Sequence, residues 1–363
     1  GEEIHEVAVG PVHAGVIEPG HFRFNCIGER VLNLEIQLGY QHRGIERMLP
    51  EVAPKRYPII AEGIAGDTAI GHSLCMAQAF EGLSGKKPDP GAKIIRTMAL
   101  EIERLQNHVG DLGALSADVA FLPPANYFGR MRGDFLNMSL WICGNRFGKG
   151  TLRAGGVRFP MTDEDREVLE GRIEELHPQV EHVIQLLFST SSVRARFEGC
   201  GTVSREDAEK LGLVGPAGRA CGVLYDARRT FPTEHYPHLY VSENDAVSGD
   251  VYARARVRAN EILQSIEMVK FLLKKPIETE CVPPAEEPVF SSSSFVVTVN
   301  EGWRGELSHC ILTDESGKIK RYKIKDPSFQ NWSGLSMSLR NTEISDFPLN
   351  NKSYNLSYCG YDL

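Results

Sequence analysis

Between residues 95 and 112, the apolar side chains Ile95, Met98, Ile102, Leu105, Val109 and Leu112 recur at spacings of 3, 4, 3, 4 and 3. An α-helix returns side chains to one face at that interval, and so narrow a stripe suits packing against other helices. The other faces carry Glu101, Glu103, Arg104, His108 and Asp111, a charged surface expected to be solvated or packed on a partner helix. A second helix is predicted from Thr162-Asp163-Glu164-Asp165, a capping signal with acids at the positive helix end, toward Leu187, with Pro178 marking a kink or break. A third begins near Ser248 and runs through Ile262, Ile266, Val269 and Leu273. Three or four long helices of this kind imply a central bundle.

The two ends of the chain read differently. Phe22, Phe24 and Cys26 alternate with polar neighbours, Gly28-Glu29 supplies a turn, and Leu32, Leu34 and Ile36 alternate again, which predicts a hairpin with one buried face. After Pro283-Pro284 and the serines of 291–294, strands are predicted at 295–299, 307–312 and 318–324, with a hairpin turn at 314–317. The expected fold class is α+β, mainly α. Its parts are an N-terminal β-hairpin region (1–50), a helical bundle (51–280) and a β-containing C-terminal region (281–363).

Composition narrows the function classes. With 42% hydrophobic and 24% charged residues in 363, the chain reads as a globular protein large enough for a substantial core. A net charge of −8 excludes the concentrated basic surface that nucleic acid requires. No apolar run reaches the roughly 18 residues of a membrane span, and no basic-then-apolar signal segment opens the sequence. Any membrane association is therefore expected through partner subunits, on the cytoplasmic face. The eight cysteines form no Cys-x-x-Cys pair and are expected to be buried, reduced thiols. Gly155-Gly156 is expected to allow close backbone packing rather than phosphate binding, since no Lys-Ser/Thr follows.

Eight stretches, in order along the chain, carry a resemblance. They lie at residues 10–24, 39–46, 145–148, 153–157, 249–254, 304–309, 326–332 and 346–356, and include Gly44-Ile45-Glu46, Arg304-Gly305-Glu306-Leu307 and Asp326-Pro327-Ser328-Phe329. Together they resemble the large subunit of membrane-bound (group 4) nickel–iron hydrogenases and its relative, the 49 kDa subunit of respiratory complex I. The resemblance implies that family's fold and, in hydrogenases, two Cys-x-x-Cys pairs that hold one metal cluster. Here Ala65 and Thr68 stand at the first pair, and Ser357 and Gly360 at the second. A methyl, a hydrogen and two hydroxyls cannot replace four soft thiolates, so no metal and no cofactor is expected on this chain. Nickel-loaded relatives also lose a C-terminal extension on metal insertion; this sequence ends at Leu363, and such processing is not expected of it.

Site roles follow from the same resemblance. Glu18 matches the glutamate that relays protons from a nickel-bound cysteine, and Arg304 the arginine over the nickel, with Trp303 in place of the family proline. A buried arginine needs an anion, so Glu18, Asp67 or a bound anion is expected to face Arg304. Histidine suits proton transfer near neutral pH, and His13, His21 and His72 are expected to form a relay around the vacated cavity. At the quinone-binding positions of the complex I subunit the alignment places Pro19 and Met76, with His13 and Asp67 as further candidates for a quinone-like pocket. Cys359, flanked by Tyr358 and Tyr361, is read as structural. The first functional expectation is a subunit of a membrane-associated oxidoreductase complex that passes electrons from a small iron–sulfur subunit to a quinone-like or other acceptor. The alternative is a non-catalytic scaffold that transmits conformational change to membrane partners.

Overall fold

The computed structural model describes residues 3–12, 18–283 and 288–363. At its centre lie four long helices. Pro90–Asp118 packs on Leu122–Cys143 and Val251–Leu273, and Asp163–Ser189 closes the group against the latter two. The stripe from Ile95 to Leu112 is fully buried in this bundle. Each predicted helix starts on a side-chain cap. Asp89 accepts from Ala92 N at 2.6 Å, Asp250 accepts from Ala253 N at 2.8 Å, and Thr162 and Asp165 form a reciprocal capping box. Pro178 does not end its helix, which runs on to Ser189.

The N-terminal hairpin is part of a three-stranded antiparallel sheet, with Ile4–Val9 paired to His21–Ile27 and that strand to Arg30–Gln37. The turn falls at Gly28-Glu29 as predicted. A bulge at Asn25/Cys26 shifts the register, so Val31 and Leu34 are buried while Leu32 and Ile36 are only half-buried. The buried face is covered by the distant C-terminus: Phe347 packs on Phe22 and Phe24 with ring centroids 5.1 and 5.0 Å apart, beside Trp332 and Tyr358.

The C-terminal region supplies a second three-stranded sheet, Phe295–Gly302, Gly305–Thr313 and Ile319–Lys325. The helix Ala69–Ser84 lies against it. Gly156 packs so tightly on Val282 that an added Cβ would come within 2.7 Å of it, in keeping with a packing role. Among the described residues, no helix is long and apolar enough to cross a membrane.

Of the two outcomes expected for the charged face, packing on a partner helix is the one found, while the expectation for the cysteines needs correction. Glu101, Glu103, Arg104, His108 and Asp111 are all buried. Glu101 pairs with Arg104 and Arg228, Asp111 with Arg258, and Arg104 and His108 share Glu261, which Arg219 links to Glu301. Arg219 bonds Glu261 and Glu301 at 2.7 Å each, Arg258 bonds Asp111 at 2.7 Å, and His108 Nε2 meets Glu261 at 2.9 Å. Among the cysteines, Cys281 is exposed and Cys143, Cys310 and Cys359 are half-buried; all eight are free thiols.

Candidate functional site

The site forms where three segments meet. The first is the loop that enters the Ala69–Ser84 helix, with Thr68 at its N-cap position and Ala65 fully buried. Two of the helix's unpaired amides are capped from outside: Glu103, on the bundle helix, accepts from Ile70 N at 2.7 Å and Gly71 N at 3.1 Å. These amides favour the carboxylate, yet burial, with the Asp67 charge adding to it, pushes the Glu103 carboxyl up to about 8.

The second segment is the two-residue turn Trp303-Arg304 between Phe295–Gly302 and Gly305–Thr313. Its position is fixed by Gly215, whose φ of +64° and closeness to the Arg304 carbonyl (2.0 Å from an added Cβ) leave no room for a side chain. Arg304 is buried and binds Asp67 in a bidentate fork, with Nη1 and Nη2 each donating at 2.7 Å. Its Nε donates to Asn355 O at 2.5 Å, and its guanidinium lies 3.9 Å over the Trp303 ring. Trp303 Nε1 donates to Asp67 O at 2.9 Å and Thr68 Oγ1 at 3.2 Å. Burial alone would raise the Asp67 carboxyl, but the charge and hydrogen bonds of Arg304 outweigh it and hold it below the usual range. Of the anions expected opposite Arg304, Asp67 is the one that meets it.

The third segment is the tail. Ser357 Oγ accepts from Gly360 N at 2.9 Å and so caps the final turn. Gly360 presses on Asp326, with 2.7 Å between an added Cβ and that carboxyl. Loop and tail are joined by Arg43, which donates to Gly63 O, Ile64 O and Cys359 O at 2.5, 2.8 and 3.4 Å. The four positions of the family's thiolates therefore lie in segments that share Arg43 and Arg304 as partners.

These residues do not fit a nickel–iron cluster. Ala65 and Gly360 have no donor atom, Thr68 Oγ1 is engaged by Trp303, Arg304 and Asp67, and Ser357 Oγ is committed to its cap. Among the described residues, no group of three or more His, Cys, Asp or Glu is arranged to hold a metal ion.

The remaining candidates are spread out. Glu18 is exposed at the rim, where partial desolvation and the Asp67 charge raise its carboxyl against the pull of Arg304 and Arg43. His21 Nδ1 pairs with Gly10 O at 3.1 Å, and His13 lies outside the described residues. His72 is fully buried, and the histidine it meets is His309, so the expected grouping with His21 is replaced by another. Met76 lines a separate cavity of about 410 Å3 with Tyr57, Phe80, Lys86 and Arg153. Cys359 keeps its thiol, raised by burial, 3.4 Å from Ser357 Oγ. Sequence reasoning assigned no role to Asp326, His309, Glu103 or Asn355. Asp326 and His309 lie in motif stretches already singled out, and Glu103 is an acid on an otherwise core-bound helix, so a signal existed for each.

The model of the respiratory-chain NADH dehydrogenase 49 kDa subunit matches residues 118–293 and 285–362, and the chain belongs to that family. It is 28% identical over 350 residues to the carbon monoxide-induced hydrogenase of Rhodospirillum rubrum, covering 95% of each chain. It is 27% identical over 369 residues to NADH-quinone oxidoreductase subunit 4 of Thermus thermophilus, covering 95% of this chain and 90% of that one. A chain from the structure of the membrane-bound sulfane sulfur reductase, an archaeal respiratory membrane complex, shares the fold, with a TM-score of 0.91, 22% identity and coverage of 100% and 99%.

Proposed function

We propose that this chain is a peripheral subunit of a membrane-associated, energy-converting oxidoreductase complex. In this reading it works without a nickel–iron centre. A small iron–sulfur partner delivers electrons to a quinone-like or other acceptor held against this subunit on the cytoplasmic face, and membrane subunits use the coupled proton movement. The observation that carries the reading is the Asp67–Arg304 fork in the place of the lost cluster, with the Asp67 side chain 36% exposed and the raised Glu18 carboxyl at its rim. A fixed cation with an acid of raised pKa beside it can orient an acceptor oxygen and supply a proton as charge develops there.

Glu18→Gln in the assembled complex keeps the shape and removes the titrating group. It should lower acceptor turnover by at least about 100-fold, the lower range of general acid–base effects, with assembly unchanged. Full activity would end the proton-relay role of Glu18. Metal analysis of protein from a nickel-competent host should find far less than one nickel per chain; near-stoichiometric nickel contradicts the reading.

A scaffold function draws support from one observation, the filling of the space over Thr68 by Trp303 and Arg304. On that reading Asp67→Asn weakens assembly while turnover per assembled complex stays unchanged.

A further inference from the structure

A chain of four buried groups leads away from the site. His72 Nε2 lies 3.1 Å from Asp326 Oδ2, His72 Nδ1 lies 3.1 Å from His309 Nε2, and His309 Nδ1 lies 2.8 Å from the Tyr322 hydroxyl. His72 and His309 are wholly inaccessible, and Tyr322 and Asp326 are 1% exposed. Two imidazoles in direct ring-to-ring contact leave little freedom. Between two nitrogens one proton must be shared, so the state of one ring sets the tautomer of the other.

We propose that Tyr322, His309 and His72 form a one-proton relay that loads a proton onto His72 against Asp326, next to the Arg304–Asp67 fork. The proposal rests on the proton-handling reading above and adds a route to it. In the unloaded state Asp326 is ionised and accepts from His72 Nε2–H. His72 Nδ1 is then a lone pair that accepts from His309 Nε2–H, and His309 Nδ1 accepts from the Tyr322 hydroxyl. Loading moves one proton through three hops. Tyr322 gives its proton to His309 Nδ1 and takes another from an outside donor, while His309 Nε2 passes its proton to His72 Nδ1. Tyr322 ends neutral, His309 ends neutral with its proton on Nδ1, and His72 ends as imidazolium paired with Asp326. One proton has entered and one positive charge has been stored.

The surroundings suit this direction. The hydrogen bond and charge of His72, with Arg304, hold the Asp326 carboxyl below the usual range against its burial, whereas burial and the His72 charge both oppose a positive charge on His309. His309 therefore passes the proton on rather than holding it. Arg304 acts on Asp326 from the 303–304 turn, and Glu103 sits under the amides of Ile70 and Gly71 from the bundle helix. Cys75 on the His72 helix, Cys310 on the His309 strand and Tyr57 surround Tyr322. Tyr322 belongs to the same core cluster as Tyr57, Met76 and Phe80, which line the 410 Å3 cavity. His309 and Tyr322 touch no acceptor and are positioning residues.

The test reads tautomers directly, by NMR of histidine ring nitrogens in the full chain. Acidification should place a second proton on His72 and, in the same step, move the His309 proton from Nε2 to Nδ1. A His309 tautomer that stays fixed while His72 titrates overturns the relay, as does a His309 that titrates on its own. In the assembled complex, Tyr322→Phe should lower turnover about 100-fold, raise the solvent isotope effect and leave the acceptor KM unchanged; unaltered turnover and isotope effect overturn it. The NMR readout is independent of turnover. Loss of the Glu18→Gln effect with the coupled tautomer switch intact would therefore refute the function reading and leave the relay standing.

Discussion

Arg219→Met should destabilise the full chain by about 3–5 kcal/mol, the cost of breaking a buried ion pair from one side. Arg219 is buried and donates to Glu261 and Glu301 at 2.7 Å each, with Asp226 at 3.4 Å. Methionine fills much of the volume but leaves these carboxylates facing one another in a medium that cannot solvate them. Glu261 also serves Arg104 and His108, so the loss spreads into the bundle. The control is Arg194→Ala, which removes a solvent-exposed pair with Glu198 and should leave the urea midpoint close to that of the parent. Equal midpoints for the two variants would mean that the buried network contributes little to holding the bundle together.

Glu103→Gln should remove most of a stability loss that sets in as pH rises. The folded-state carboxyl is raised from 4.5 to about 8, so between those values the folded chain holds a proton that the unfolded chain has released. Stability from this group is complete near pH 4.5 and falls as pH climbs through 8. At about 1.4 kcal/mol per unit, the decline reaches on the order of 5 kcal/mol. Glu301, pushed up to about 7, acts in the same sense. Asp67, Asp326, Glu101 and Glu261 are lowered instead, so their contribution is lost as pH falls below about 4. Stability of the parent should therefore peak in mildly acid solution. Denaturant midpoints across pH 5–9 would check this; an unchanged slope in Glu103→Gln would show that another group sets it.

Much of the architecture was legible because it depends on local rules. The stripe from Ile95 to Leu112, the cap at Thr162 and the turn at Gly28-Glu29 each act within a few residues, and each sits where the sequence places it. The helix Leu122–Cys143 escaped because it opens on Pro123 and Pro124 and half of its faces stay accessible, so no clean stripe marks it. The strand Ile4–Val9 escaped because it lies at a sheet edge and buries little.

For the charged face of Pro90–Asp118 the sequence left solvation and packing both open. Periodicity reveals which side of a helix is apolar, but Arg228 and Arg258, which join Arg104 in meeting Glu101 and Asp111, lie more than 100 positions away. The site was legible where the family motif names a position, as at Asp67 and Arg304. The His72–His309 contact joins residues 237 apart and no spacing rule reaches it.

The way the tail closes the molecule bears on how it is made. Arg43 binds Cys359, Gln41 binds Asp362, Arg30 binds Asn341 and Phe22 packs on Phe347. In a nascent chain the first strands and the 62–68 loop emerge about 300 residues before these partners. Until then Phe22 and Phe24 have no cover, and Arg304 lacks the Asn355 carbonyl. Closing loops of about 300 residues makes this the slow, late step. The chain should therefore spend its immature life with an open, sticky flank, which the seating of residues 355–362 closes.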